Sequence, residues 1–206
     1  MAASPERTGE GPRGLSFGAL VQAVPAAAAV PATVEVCFSP EDDCAEFAER
    51  AIAGAQREIL VSAYRLTVGS GIVGALIRAK ERGVDVRVIA DRAAPCGRAS
   101  GIEPLAKADV PVWIDKGARL AHAKTMVIDG GGTLQGSYNW TRAAGENSED
   151  LNLISSLAVA AAYSAHWRQR FAVLVPFVDR EDWCRASSLR CADVWTLARV
   201  SIPTSA

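Results

Sequence analysis

A histidine and a lysine stand two positions apart, with an aspartate five positions further on, in His122-x-Lys124-x4-Asp129. Gly136 and Ser137 follow seven and eight residues after the aspartate, and Asn139 two residues later. In a chain of 206 residues, chance produces an HxKxxxxD spacing on the order of 1 % of the time, and a fixed G-S-x-N behind it is rarer still. Residues at i and i+2 of a strand share a face, so the imidazole and the ammonium converge on one point. A nucleophilic nitrogen beside a fixed positive charge is chemistry suited to a phosphate ester. The second histidine, His166, lies in Y163-S-A-H-W-R168 with no Lys or Asp at comparable spacing, and reads as a packing or surface residue.

The elements that must position these groups begin at Thr33, where an Ala- and Pro-rich arm (residues 1–32) gives way to β-branched sequence. Val34–Phe38 alternates as a half-buried strand. Ser39-Pro40 and the acidic trio Glu41, Asp42 and Asp43 form a turn and a helix N-terminus. From Cys44 the apolar residues then recur at helical spacing to about Gln56. Glu58–Tyr64 reads as a buried strand, Gly71–Arg82 as a helix stopped by Gly83, and Val84–Ala90 as the next strand. A short helix over Ile102–Ala108 and a strand over Val110–Ile114 follow. Lys124–Ile128 and Thr133–Leu134 form short strands around Gly130-Gly131-Gly132, Leu151–Ser155 the last strand, and Ala158–Val173 a helix lying back on the sheet. The alternation predicts an α/β fold, a mixed but mainly parallel sheet sandwiched between helices, with chemistry at the carboxyl ends of its strands. Residues 33–178 form this single domain, and 179–206, with Trp183, Cys184, Cys191 and Trp195, a helical tail packed on it or on a partner.

Lys and Arg number 22 against 23 Asp and Glu, a formal charge of −1. No global positive field holds such a chain on a polyanion, so any phosphate must be gripped locally. Lys116, Arg119 and Arg142 flank the motif and could track a polyanion or simply be solvated. The five cysteines (Cys37, Cys44, Cys96, Cys184, Cys191) contain no C-x-x-C pair and read as small buried hydrophobes of a reduced or weakly oxidising compartment. Two histidines do not make a zinc cluster, and no metal or cofactor is expected. No apolar run reaches the length of a membrane-spanning helix; Gly14–Ala32, interrupted by Gln22, Pro25 and Pro31, is a cleaved signal or a loose arm. The expected location is cytoplasmic, or periplasmic or secreted if that segment is a signal.

The motif resembles the HKD signature of the phospholipase D superfamily, and the chain resembles in particular its small single-motif branch of Nuc- and Zucchini-type endonucleases. V36-C-F-S-P40, A55-Q-R-E-I-L-V-S-A-Y64, A79-K-E-R-G-V-D-V-R-V-I89 with Asp91, G136-S-Y-N-W-T141 and N147-S-E149 carry the likeness across roughly residues 34–172. Ala121 and Ala123 stand where relatives often have a second His or a polar residue, and Asp150 where the branch usually has Asn. The resemblance implies a phosphodiesterase in which one His attacks phosphorus, giving a phosphohistidine, and a second protonates the leaving oxygen. With one motif per chain, it implies a homodimer whose site is shared on the two-fold axis. Lys124 then balances phosphate charge, and Asn139 and Ser137 donate to its oxygens. Glu149 orients the imidazole, the same loop also offering Glu146, while Asp129 and Gly136 are structural. Nucleic acid is the expected substrate. A phospholipase D acting on phosphatidyl head groups and a catalytically silent nucleic-acid-binding protein are the alternatives.

Overall fold

The computed structural model describes residues 32–170 and 174–186. Eight strands form one sheet: β1 (Thr33–Ser39), β2 (Glu58–Ala63), β3 (Asp85–Asp91), β4 (Val112–Asp115), β5 (Lys124–Ile128), β6 (Gly132–Gly136), β7 (Glu149–Ser155) and β8 (Leu174–Pro176), in the order β1-β7-β6-β5-β2-β3-β4-β8. Helices α1 (Cys44–Gly54), α2 (Ile72–Glu81) and α3 (Ile102–Lys107) cover one face; α4 (Leu157–Gln169) lies on the other, and α5 (Arg180–Ala186) at the edge. The alternation of β2 shows why the sheet is central. Ile59, Val61 and Ala63 face the larger core with α1 to α3, while Leu60 joins Ile89, Val127, Ala160 and Trp167 under α4. The Trp167 indole also donates to the Val61 carbonyl at 2.9 Å.

Two expectations need correction. Only β2–β3 and β3–β4 are parallel; the other five pairings are antiparallel, so the sheet is mixed rather than mainly parallel. A parallel pair needs a crossover of a dozen or more residues. The helical crossovers of the N-terminal half supply two of these, whereas Asp129–Gly131 leaves room only for a hairpin between β5 and β6. Four of the five cysteines are also not free thiols: Cys37 is bonded to Cys44 and Cys96 to Cys184. The first pair joins the end of β1 to the start of α1, and the second spans a sequence separation of 88, which linear spacing cannot reveal. Cys191 and most of the arm and tail lie outside the described residues. The described part of the tail, α5, packs on the short 3-10 turn Ala94–Cys96, where the Trp183 indole donates to the Arg92 carbonyl at 3.0 Å.

Register places the ends of β1, β2, β3, β4 and β6 and the starts of β5 and β7 along one edge of the sheet. Ala63 pairs with Lys124, Gly136 with Leu151, and Ser39 with Glu149. Asp129 closes the opposite end of β5. Its carboxylate accepts from the backbone N–H groups of Gln56 (2.8 Å), Arg57 (2.7 Å) and Glu58 (3.0 Å), holding the approach to β2. Burial opposes ionisation, but these three bonds and the Arg57 charge outweigh it and hold the carboxyl below its usual range. Asp129→Ala is expected to cost about 1–3 kcal/mol, read as a lower urea midpoint; an unchanged midpoint would contradict this anchoring role.

Candidate active site

The strand end at G136-S-Y-N-W-T141 is built by alternation. Tyr138 and Trp140 are buried in the core, turning Ser137 and Asn139 outward. The Trp140 indole donates to the Ser62 carbonyl (3.2 Å), and its own carbonyl accepts from Thr67 N–H (3.0 Å), which fixes the segment against β2. Gly136 is required where it stands, because a Cβ there would collide with the backbone carbonyl of Asp150. Ser137 and Asp150 are tied reciprocally: Ser137 N–H donates to Oδ1 (3.2 Å), and Asp150 N–H donates to the Ser137 hydroxyl oxygen (3.0 Å). The Ser137 hydroxyl hydrogen stays available to a ligand. Ser39, at the end of β1, donates to the carbonyls of Ala144 (3.0 Å) and Asn147 (2.9 Å), steadying the loop that delivers Glu149.

His122 precedes β5, and backbone bonds on both sides hold it. Ala121 N–H donates to the buried Asp91 carboxylate (2.7 Å), and the Ala123 carbonyl accepts from Tyr64 N–H (2.9 Å). The two alanines thus serve through their backbones. The imidazole is open to solvent on one side and rests on Tyr64 on the other, with ring centroids 4.3 Å apart. Beneath it, Lys124 is only 6 % exposed. Its Nζ lies 2.8 Å from His122 Nδ1 and 3.1 Å from Nε2 and donates to the His122 carbonyl at 2.8 Å.

Partial burial and then the Lys124 ammonium, with a smaller contribution from Arg65, push the His122 pKa below its ordinary value of 6.5; Asp91 pulls the other way. Burial and the ammonium both favour the neutral ring, the form that attacks. Burial also lowers the Lys124 pKa, opposed by Glu149. Replacing Lys124 by Met removes a nearby positive charge, so the His122 pKa is expected to rise toward 6.5. An NMR titration of the imidazole carbon protons in the wild type and Lys124→Met checks this; a lower or unchanged value in the variant would contradict it.

His122, Lys124, Ser137, Asn139, Glu149 and Gly136 come together with Thr125 and Gln135 around one open cleft of about 590 Å³. Within it the Asn139 Oδ1 is buried and has no hydrogen-bond partner among the described residues. Glu149 accepts from Asn147 Nδ2 (3.1 Å). Its charge acts on Lys124, but no hydrogen bond joins it to the imidazole. Glu146 instead lines a separate hollow with Glu41, Asp42, Asp43 and Arg142. His166 sits on α4, exposed, away from the cleft. No role was expected for Tyr64, Asp91 or Arg65, although Tyr64 and Asp91 were among the residues that carry the family resemblance. The further signal was position, at or just beyond the carboxyl ends of β2 and β3, where such sheets collect functional groups.

An exposed imidazole on a buried ammonium, at the strand edge of a mixed α/β sheet, is an arrangement chemically suited to a phosphate ester. The family model described as "Cardiolipin synthase, PLD-like domain" matches residues 49–173. A "Phospholipase D" from Rickettsia felis is 35 % identical over 138 residues, 66 % of this chain and 68 % of that protein. A "Mitochondrial cardiolipin hydrolase" from Xenopus laevis is 32 % identical over 119 residues, 57 % of this chain and 56 % of that one. Among solved structures, Nuc from Salmonella typhimurium, described as a phospholipase D family member, superposes with a TM-score of 0.67 at 30 % identity, covering 72 % of this chain and all of Nuc. The chain belongs to the phospholipase D superfamily, and within it to the small Nuc-like branch; it is a phosphodiesterase hydrolase.

Proposed function

We propose that the protein hydrolyses phosphodiester bonds of nucleic acid through a phosphohistidine on His122, as a homodimer in which two copies of His122 share one phosphate. The observation that carries this is the exposed His122 ring seated on the buried Lys124 ammonium. An imidazole nitrogen attacks phosphorus and forms the P–N bond. The P–O bond to the leaving alcohol breaks, and that oxygen takes a proton from His122 of the partner subunit. Water then loses a proton to that second imidazole and attacks phosphorus, and the P–N bond breaks. Lys124 offsets the phosphate charge. Ser137 and the Asn139 amide line the same cleft, the hydroxyl and the amide nitrogen being the groups that can donate to the phosphate oxygens.

A second imidazole is not available within the chain, because His166 lies away from the cleft. The dimer reading draws further support from β1. Val34, Val36 and Phe38 are 55 %, 46 % and 55 % exposed on one face of this edge strand, an apolar stripe that ends beside Asp150 and the cleft. The two disulfides favour an oxidising compartment, periplasmic or extracellular, over the cytoplasm. Among the described residues no helix is long and apolar enough to cross a membrane.

The cleft offers an ammonium and one carboxylate, a donor set that suits a phosphate and repels a divalent cation. Turnover of an oligonucleotide is therefore expected to survive EDTA; complete loss, restored by added metal, would refute this. The second reading, hydrolysis of a phosphatidyl head group, is favoured by what the Rickettsia and Xenopus relatives are called. A panel of single-stranded DNA, duplex DNA, RNA and phosphatidylcholine in EDTA separates the two.

A further inference from the structure

The charged side chains along the catalytic edge are sorted by sign in the order of the strands. Past the end of β1, and in the 3-10 turn Arg142–Glu146 packed on it, stand Glu41, Asp42, Asp43 and Glu146 with only Arg142 among them. The cleft occupies the ends of β7, β6 and β5. Beyond it, past the ends of β2, β3 and β4, stand Arg65, Arg92, Arg98, Lys116 and Arg119.

This basic flank is one connected surface. The loop bearing Arg119 is pinned at Gly117 N–H to Asp115 (2.9 Å) and at Ala121 N–H to Asp91 (2.7 Å), so it crosses the end of β3 on its way to His122. The loop bearing Arg98 pairs with the segment after Arg65: Val68 N–H donates to the Ala99 carbonyl and Gly101 N–H to the Leu66 carbonyl, each at 2.9 Å. Lys116 lies 4.5 Å from the Trp183 ring, whose indole holds the Arg92 carbonyl.

The carboxylates nearest this flank are already engaged. Asp91 serves backbone N–H groups, and Asp115 is paired with Arg170 at 2.6 Å. On α5, Glu181 and Asp182 face Arg185. The side chains of Arg92, Arg98 and Arg119 make no hydrogen bond or ion pair among the described residues, and all three residues are exposed.

From this placement we infer that a nucleic acid strand crossing His122 lays its flanking phosphates over Arg119, Arg98 and Arg92 at the ends of β3 and β4 and away from the acidic β1 side, the two-fold axis repeating this flank on the far side of the shared phosphate. The inference rests on the nucleic-acid reading above and names the surface that gives it a polyanion grip. It also explains how a chain of net charge −1 holds a polyanion: the charge is separated along the edge rather than summed. A single-phosphate substrate reaches only the cleft, whereas a polynucleotide also meets the flank.

The test measures binding of a fluorescein-labelled 20-nucleotide single-stranded DNA to full-length His122→Asn protein by anisotropy across 50–400 mM KCl. Arg92→Ala/Arg98→Ala/Arg119→Ala is added to that background, with Glu41→Gln/Glu146→Gln as the comparison. Each phosphate contact contributes about 0.7 to the slope of log K against log salt on a single strand, so the triple variant is expected to flatten the slope by about 2 for each flank the strand reaches and to weaken binding about tenfold or more at low salt. The acidic-side variant leaves the slope unchanged or binds more tightly. A thermal midpoint matching the parent shows that the triple variant is folded. Tight parental binding with the same slope in the triple variant overturns the track and leaves the nucleic-acid reading standing. Failure of the parent to bind DNA at 50 mM KCl overturns both.

Discussion

Replacing His122 by Ala or Asn is expected to reduce phosphodiester turnover by on the order of 10⁴- to 10⁶-fold, the largest effect of any single substitution in the chain. The size follows from covalent catalysis. In a shared site the same residue supplies both the attacking nitrogen and the general acid, so one substitution removes both, and the other imidazole, His166, lies away from the cleft on α4. Lys124→Ala removes charge compensation but leaves both imidazoles, for a loss of about 10²- to 10³-fold. Glu149→Gln leaves the imidazole and the ammonium in place and changes only a neighbouring charge, costing on the order of 10-fold. The order of the three losses is as informative as their sizes. Purified, folded His122→Ala turning over within tenfold of the wild type would remove His122 from the chemistry.

Mixing subunits gives the second large effect. If one site needs His122 from both copies, a dimer of one wild-type and one His122→Ala subunit is inactive. After full exchange, a ninefold excess of the variant leaves about 1 % of dimers wild-type in both halves, against about 10 % expected for subunits that act independently. Activity per wild-type subunit is therefore expected to fall about tenfold. Exchange is followed separately with differently tagged subunits, so that suppression is read only after mixed dimers have formed. Mixed dimers retaining half the wild-type rate, or a fully active monomer in sedimentation, would show that the chain completes its site alone. The apolar face of β1 gives a companion readout: Val36→Lys, on the exposed side of that strand, should shift the dimer toward monomer and lose activity together with it.

Much of the site was legible in the linear sequence because its central groups are close along the chain. His122 and Lys124 are two residues apart, and local extended geometry brings ring and ammonium together at 2.8 Å. The G136-S-Y-N-W-T141 segment lies one hairpin away, its alternation of buried aromatic and outward polar residues set by the two-residue period of extended chain. The separate strands and helices were legible for the same reason, since hydrophobic period and turn residues are local signals. Only β8 and the 3-10 turns, each three to five residues long, left no trace.

What the tertiary structure alone decided involves partners far apart in sequence. Strand order put β5 between β6 and β2 rather than in a parallel run, because pairing depends on which chain segments have length to cross over. The Cys96–Cys184 bond joins residues 88 positions apart, and no spacing rule reports two loops meeting at a sheet edge. Tyr64 and Asp91 became supports of His122 only because β2 and β3 end beside the start of β5, and a carboxylate's role depends on the N–H groups that reach it. The charge separation along the catalytic edge was invisible for a similar reason. Composition sums charges over the chain, giving −1, whereas a bound phosphate responds to charges within about a Debye length, and folding sorts the basic and acidic loops onto opposite sides of one histidine.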